Sequence, residues 1–134
     1  MHGPRDVAVA TAVAAVMSGT PSTVYALATG GDPLAATRAA GTLFPGERPG
    51  VVRGAVAHGA VSGFWGALLG VALPRRRTAW WAMVAGLGIA AIDLGLVGRH
   101  LPAIRALPTA PQVADHLTFG GVFGAVLARR RRDR

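Results

Sequence analysis

The apolar and polar positions of this chain alternate on the scale of whole segments, with long apolar runs separated by short polar or proline-rich connections. The clearest run, 54–73, contains about twenty residues without a formal charge and ends at Pro74 and Arg75–Arg77. A run of about twenty apolar residues forms a helix long enough to cross the hydrocarbon of a bilayer. Arginines directly after such a run are typical of the cytoplasmic end of a membrane-spanning helix.

The whole pattern predicts an all-α fold: a multi-pass transmembrane four-helix bundle that forms a single integral membrane domain over residues 1–134. The last of the four spans is the shortest, and at about 1.5 Å per residue it barely crosses the hydrocarbon, although the preceding loop could lengthen it. Loops are predicted where prolines gather, at 44–50 and 101–112. The predicted spans are 7–28, 51–73, 79–98 and 113–128.

A short helix is predicted between the first two spans. Asp32 and Pro33 have the form of a helix start, with the aspartate as N-cap and the proline at the first helical position. The segment that follows, 34–42, is too short to cross a bilayer and carries Arg38 as its single charge. We therefore expect this helix to be interfacial, lying at the membrane surface.

The first span is interrupted by the polar segment 18–23, which contains Pro21. Proline lacks a backbone N–H and kinks a helix, and nearby hydroxyls can satisfy the backbone groups that the kink frees. Pro21 is therefore a predicted helix break. It has two interpretations: a kinked helix that packs against its neighbours, which we favour, or a broken helix that lines a polar cavity, as in transporters.

Charge is concentrated at the ends of the apolar runs. All 14 basic residues are arginines, and the formal net charge is +8. With Arg5, Arg75–Arg77, Arg129–Arg132 and Arg134 on one side of the membrane, most of the arginines share that side. This asymmetry predicts a multi-pass protein of the cell membrane with both termini cytoplasmic. It also argues against nucleic acid as a partner, because orientation in the bilayer already explains the basic residues.

Few types of chemistry fit the remaining residues. The chain has no cysteine, which excludes disulfides, thiolate metal sites and cysteine nucleophiles. Ser62 lies one turn from His58, but nothing resembles the strand-to-helix turn that presents a catalytic serine. The glycines lack the lysine of a phosphate-binding loop. We therefore expect neither an enzyme nor a bound cofactor.

The second and fourth spans share a sequence pattern. Aligning His58 with His116 sets HGAVSGFWGALLG against HLTFGGVFGAVLA, and histidine, two glycines, an alanine and a leucine coincide. Both copies end at arginines, so they run through the membrane in the same direction. This is consistent with an internal duplication of a helix pair.

Small residues recur at four-residue spacing along these two spans and form rows on one helical face. Such rows let backbones approach closely, which promotes helix association in lipid. We expect the second and fourth spans to meet along them, or the chain to form a homo-oligomer through them. On this basis Gly63→Leu should be more harmful than Leu69→Ala. The predicted packing glycines are Gly59, Gly63, Gly66, Gly70, Gly120 and Gly124.

Four ionisable residues, His58, Asp93, Asp115 and His116, lie inside the predicted spans and form a candidate intramembrane polar cluster. Three of them lie at a similar depth, roughly 7 to 9 Å below the outer boundary at 1.5 Å per residue. Because a charge in hydrocarbon costs a few kcal/mol, such groups need partners. We expect Asp93 within hydrogen-bonding or one-water distance of His58 or His116.

The cluster has three interpretations. The favoured one is that its members hydrogen-bond to one another and lock the helices together. The second is a relay for protons or ions, which uses these residue types at such depths. The third is a metal site, but no local ligand spacing such as His-x-x-His supports it. We therefore expect no metal ion.

The pattern H-x3-(S/G)-G-x-(W/F)-G in the second and fourth spans, together with DPLAATRAAGTL after the first, resembles small actinobacterial four-span membrane proteins of unknown function. More distantly, the chain is similar to YagU-like inner-membrane proteins. The resemblance implies a four-helix membrane fold and no particular activity. We expect a structural or accessory protein of the lipid bilayer that packs or oligomerises through its glycine faces. The alternative is a small transporter or channel in which the His/Asp cluster moves protons or ions.

Overall fold

The computed structural model describes residues 2–133, and in that range the chain is helical, with no strand. The first long helix is broken into two, and the third continues from its α-helical part into a π-helical segment, Ala91–Val97, and a 3-10 turn, Gly98–His100. The α-helices are α1 (Pro4–Ser18), α2 (Thr20–Ala28), α3 (Ala35–Ala40), α4 (Val51–Ala72), α5 (Thr78–Ala90), α6 (Pro102–Arg105) and α7 (Thr109–Arg132).

Three helical segments are long and apolar enough to span a membrane: Pro4–Ala28, Val51–Ala72 and Thr78–His100. Their outward surfaces carry large apolar side chains; Val16, for example, is 81% exposed and Phe64 is 63% exposed. Many of the positions buried inside are instead alanine or glycine. Apolar surface on this scale is unfavourable in water and suits the interior of a bilayer. These three segments are therefore compatible with a small membrane protein.

The last helix, α7, differs from the other three. Its 24 residues are enough to cross a bilayer, but it is not among the helices apolar enough to do so by composition. It begins at Thr109, whereas the span was predicted to begin at 113, and the loop predicted at 101–112 also contains α6. The earlier start is possible because Pro108 is the N-cap residue and Pro111 lies in the first turn, where helical N–H groups have no partner in the helix.

The four long helices form an arc in the order α4, α1, α7 and α5. Helix α7 packs against α5, α1 and α2, while α1 also packs against α4. Helices α4 and α5 lie at the two ends of this arc and make little contact with each other. The arrangement is therefore open between α4 and α5.

Both ends of the described chain lie at the same end of the molecule. Arg130 Nε, near the end of α7, donates to Asp6 Oδ1 at 2.8 Å, in the first turn of α1. The backbone N–H of His2 donates to the carbonyl of Gly70 near the end of α4, at 3.3 Å. We call this the arginine end, and we call the opposite one, which holds α2, α3 and α6, the far end. The arginines that define the arginine end are Arg75–Arg77 and Arg129–Arg132.

An apolar core fills the half of the molecule next to the arginine end. Phe123 and Leu127 of α7 are almost completely buried there. They are packed with Leu69 and Leu73 of α4 and with small residues of α1 and α5. This core joins the four long helices between the arginine end and the level of the ionisable residues.

The glycine row of α4 packs against α1. A methyl group added at Gly70 would lie 2.7 Å from a methyl carbon of Val7, and one at Gly66 would overlap Thr11. The two backbones can therefore approach only because these positions are glycine.

The glycine row of α7 packs against α5. A methyl group added at Gly124 would lie 2.6 Å from Ala82 Cβ, and one at Gly120 would overlap the carbonyl oxygen of Ala82. The prediction that the second and fourth spans meet along their glycines is therefore wrong, because α1 lies between α4 and α7. The glycine row of α4 instead contacts α1, and the glycine row of α7 contacts α5. In each case the partner is the preceding long helix of the chain.

Two of the predicted packing glycines, Gly59 and Gly63, have open space at the position of a side chain. For a single molecule we therefore expect the opposite ranking, with Leu69→Ala more destabilising than Gly63→Leu, because Gly63 is exposed whereas Leu69 is 5% exposed and belongs to the core. Packing of Gly59 and Gly63 against a second molecule stays a prediction.

The short helix α3 begins at Ala35, two residues after its predicted start at Pro33. Asp32 does not cap it. Its carboxylate accepts a hydrogen bond from the N–H of Leu34 at 2.9 Å and forms an ion pair with Arg38. Helix α3 packs against α4, and a methyl group added at Gly54 of α4 would overlap the carbonyl oxygen of Thr37 in α3. Its location at the membrane surface stays a prediction.

Candidate functional site

A cavity of about 710 Å³ occupies the far half of the molecule. Its wall is largely apolar, but all four residues of the predicted polar cluster line it. The lining residues nearest the arginine end are Trp65, Ile89 and Phe119, beyond which the apolar core begins. The cavity is therefore blind on the side of the arginine end.

Asp93 lies in the π-helical segment, which widens the helix by one residue and changes the direction of the side chains that follow. Such segments are frequent at functional sites. Its Oδ2 lies 3.3 Å from Nε2 of His116 on α7, and both side chains are mostly covered. The expected approach of Asp93 to one of the histidines is therefore found, and the partner is His116.

The contact between Asp93 and His116 has the distance of a hydrogen bond. Nδ1 of His116 lies 2.7 Å from the carbonyl oxygen of Gln112, and because a carbonyl only accepts, Nδ1 must carry a hydrogen. The contact between Nε2 and the Asp93 carboxylate then needs one further proton, carried either by the imidazole or by the carboxyl group. In both forms the pair has no net charge.

Trp65 connects α4 to the same carboxylate. Its indole Nε1–H donates to both oxygens of Asp93, at 3.2 and 3.1 Å. This bond joins the two ends of the helix arc at the level where the cavity meets the core. Trp65 is the aromatic residue of the pattern that the second and fourth spans share, but its contact with Asp93 was not predicted. A tryptophan in the middle of a span, away from the membrane surface where tryptophan is enriched, is a usable signal.

His58 does not join Asp93. Its Nε2 lies 2.8 Å from the carbonyl oxygen of Ala15 and 3.4 Å from Ser18 Oγ, both on α1. Because the carbonyl of Ala15 only accepts, Nε2 is the donor. His58 therefore donates a hydrogen bond to a backbone carbonyl near the end of α1.

The break in the first long helix lies at Gly19, between α1 and α2, and Pro21 follows in the first turn of α2. The backbone N–H of Ser22 has no partner one turn earlier in α2, and it donates instead to Asp115 Oδ1 at 2.9 Å. The break therefore lies inside the polar segment 18–23, in the turn that precedes Pro21, where the missing N–H of proline interrupts the helix. It also lines the cavity, since Ser18, Gly19 and Ser22 all form part of the wall.

The predicted cluster therefore divides into three separate hydrogen-bonded groups around one cavity. Asp93 pairs with His116, His58 binds the end of α1, and Asp115 binds the start of α2. Within residues 2–133, no three His, Asp or Glu side chains converge as they would to hold a metal ion. No arginine of that range lines the cavity, so its histidines are its only basic side chains.

Comparisons of the chain with protein-family models, with curated proteins and with solved structures found no match. The resemblance to small four-span actinobacterial membrane proteins stays a prediction.

Proposed function

We propose that the protein is a small integral membrane transporter, which binds a solute in the far-half cavity and uses the Asp93–His116 pair as a proton site. In this proposal α7 is the fourth span, the chain forms one membrane domain, and both termini lie in the cytoplasm. The observation that carries the proposal is the 3.3 Å contact between Asp93 Oδ2 and His116 Nε2 at the wall of a cavity of about 710 Å³.

The separation of the ionisable groups favours this function over a packing lock. A lock would be expected to pair the four ionisable side chains of the cluster with one another, and of these four only Asp93 and His116 do so. Asp115 and His58 instead bind backbone at the break in the first long helix and leave open space between them and the pair. A broken helix beside a polar cavity is a common arrangement in transporters.

The blind end of the cavity favours a transporter over a channel. A channel needs a continuous path, whereas Phe123, Leu127 and Leu69 close the arginine half. A transporter open to one side requires such a closed half and changes conformation to release its solute on the other side.

The test is proton flux into liposomes that contain the purified protein, driven by an imposed membrane potential and followed with a pH-sensitive dye inside the vesicles. We expect flux above that of protein-free vesicles. Asp93→Asn should abolish it, because an amide cannot exchange a proton with His116. Asp133→Asn, an exposed position at the end of α7, is the matched control and should keep the flux. A wild-type flux equal to that of empty vesicles, or full flux from Asp93→Asn, would contradict the proposal.

A second candidate function is the expected structural or accessory one, and the exposed glycine face of α4 favours it. Gly59 and Gly63 border a shallow groove between α4 and α1, lined on the α1 side by alanines. A second copy of the chain could pack its own small-residue face there. The test is the oligomeric state in lipid nanodiscs: Gly63→Leu should shift a dimer to a monomer, and a wild-type monomer would remove this candidate.

A further inference from the structure

We infer that the far-half cavity is a binding site for a monovalent organic cation with an apolar body, such as a hydrophobic amine or quaternary ammonium ion. This inference rests on the proposed function and names the class of its solute. It is carried by the charges, the walls and the volume of the cavity.

The first step is the charge. The Asp93–His116 pair has no net charge when one proton lies between the two groups, and Nε2 of His58 is engaged with the carbonyl of Ala15. Asp115 is the remaining acid on the wall, and its hydrogen-bond donor is the neutral N–H of Ser22. With Asp115 ionised and His58 uncharged, the cavity carries one negative charge. Because an uncompensated carboxylate in a low-dielectric surrounding is costly, it needs either a proton or a cation.

The second step is the nature of the cation. A metal ion or a hydrated inorganic ion needs several oxygen or nitrogen ligands around it. The described part of the chain offers no convergent group of three acidic or histidine side chains. Most of the wall is made instead of side chains such as Val61, Leu94 and Ile104. An organic cation can place its charge near Asp115 and bury its apolar groups against this wall.

The third step is the aromatic wall. Trp65 and Phe119 both line the cavity, at its closed end. Aromatic rings attract organic cations, and quaternary ammonium groups in particular are recognised in this way. The volume of about 710 Å³ admits a body larger than a single benzyl group. Charge, apolar surface and aromatic rings thus lie in one cavity.

The experiment measures binding of radiolabelled benzyltrimethylammonium to the full chain in lipid nanodiscs, by equilibrium dialysis. Two competitors of the same shape test the role of charge: neopentylbenzene, in which a carbon replaces the nitrogen, and phenylmethanesulfonate, which is an anion. We expect saturable binding of the cation that neither competitor displaces. No saturable binding, or equal displacement by neopentylbenzene, would overturn the inference.

Variants test the position of the charge. Asp115→Asn keeps an acceptor for the N–H of Ser22 but removes the charge, and it should weaken binding about tenfold or more. Asp115→Glu keeps the charge and should retain binding, while Asp133→Asn is the surface control. Unchanged affinity in Asp115→Asn would show that Asp115 is not the group that binds the cation. If that variant does not remain monodisperse, the comparison of the three probes on the wild-type protein still decides the question.

The location of the probe can be read from the fluorescence of Trp65. The chain has 3 tryptophans, and the other two, Trp80 and Trp81, are exposed near the arginine end. In the background Trp80→Phe/Trp81→Phe, the cation should change the emission of Trp65. Unchanged emission at saturating cation would place the bound probe outside the cavity and contradict the inference.

The two proposals fail separately. Cation binding without proton flux would contradict the transporter and leave the cation site standing. Flux that depends on Asp93, without cation binding, would leave the transporter standing and contradict the class of solute.

Discussion

The carboxylate of Asp115 accepts a hydrogen bond from the backbone N–H of Ser22, which lies 2.9 Å away across the boundary between α7 and α2. The break at Gly19 leaves this N–H at the start of α2 without a partner in its own helix. One side chain thus completes the backbone bonding of a broken helix and also forms part of the cavity wall.

The first prediction concerns the stability of that helix break. Asp115→Ala should lower the free energy of unfolding by about 1–3 kcal/mol, because the N–H of Ser22 then lies at a partly buried position without an acceptor. Asp115→Asn should cost less, since the amide oxygen can still accept. Denaturation in mixed detergent micelles, followed by circular dichroism, measures both. Equal losses for the two variants would show that the Ser22 bond contributes little.

The second prediction concerns the packing of α7 on α5. Gly120→Ala should destabilise the protein by about 1–3 kcal/mol, as overpacking commonly does, because the new methyl group meets the backbone carbonyl of Ala82, which cannot rotate away. Gly63→Ala should be neutral within about 0.5 kcal/mol, because its position is open. The same unfolding measurement ranks them, and a reversed order would contradict the helix contacts described above.

The third prediction concerns orientation in the membrane. Because the chain has no cysteine, single cysteines can be introduced without a prior background change. Arg132→Cys, at the arginine end, should react with a membrane-impermeant maleimide only from the cytoplasmic side. Arg105→Cys in α6, at the far end, should react from the other side. Reaction of both cysteines from one side would exclude four spans.

The fourth prediction concerns the bond between the two ends of the helix arc. Trp65→Phe removes the indole N–H that donates to Asp93 and should cost about 1.5–3 kcal/mol where the carboxylate is ionised. The matched control is Trp81→Phe, which makes the same chemical change at an exposed position and should cost little. Equal effects in detergent unfolding would show that the Trp65–Asp93 bond is not a stabilising contact.

The fifth prediction concerns pH and His2, which lies outside the spans at the arginine end. Burial lowers the pKa of His2 below its ordinary value of 6.5, a hydrogen bond to the backbone of Leu73 opposes this in part, and the nearby charges of Arg131 and Arg75 add to the lowering. Its Nε2 is buried and lacks a hydrogen-bond partner among the described residues. The folded state therefore disfavours the charged imidazole.

The direction of the pH dependence follows from the number of protons bound to His2 in the folded and in the unfolded chain. As the pH falls through 6.5, the unfolded chain takes up a proton at His2 that the folded chain does not. Stability should therefore be highest above pH 6.5, decrease as the pH falls, and level off below the lowered pKa of the folded state. Unfolding midpoints between pH 5 and pH 8 measure this, and His2→Gln should flatten the dependence. An unchanged slope in His2→Gln would assign it to other groups.

The helical class, three of the four predicted apolar spans and the approach of Asp93 to a histidine could be predicted from the sequence, because they depend on local composition and on depth along a helix. The grouping of the arginines at one end also follows from the alternation of direction between successive spans. The neighbours of each helix could not be predicted. Glycine rows on α4 and α7 show that close packing is available, but they do not identify the helix that fills them.

The division of the polar cluster could not be predicted for a related reason. His58 and His116 occupy the same position in the two sequence copies, yet one binds backbone of α1 and the other binds Asp93. The difference arises because α7 lies in the middle of the arc and α4 at its edge. The hydrogen-bond partner of each histidine thus depends on which helices lie next to its own. That spatial order cannot be read from any one segment of the sequence.

The open side of the helix arc has a consequence for how a solute could reach the ionisable groups. Helices α4 and α5 are joined covalently at the arginine end through residues 73–77, and the Trp65–Asp93 bond holds them again at the floor of the cavity. Towards the far end, residues of both helices line the cavity. A photoreactive lipid would therefore be expected to label Val61 or Leu94, which line the space between them. A molecule dissolved in the bilayer could then enter sideways between two helices and reach Asp93 without passing through water.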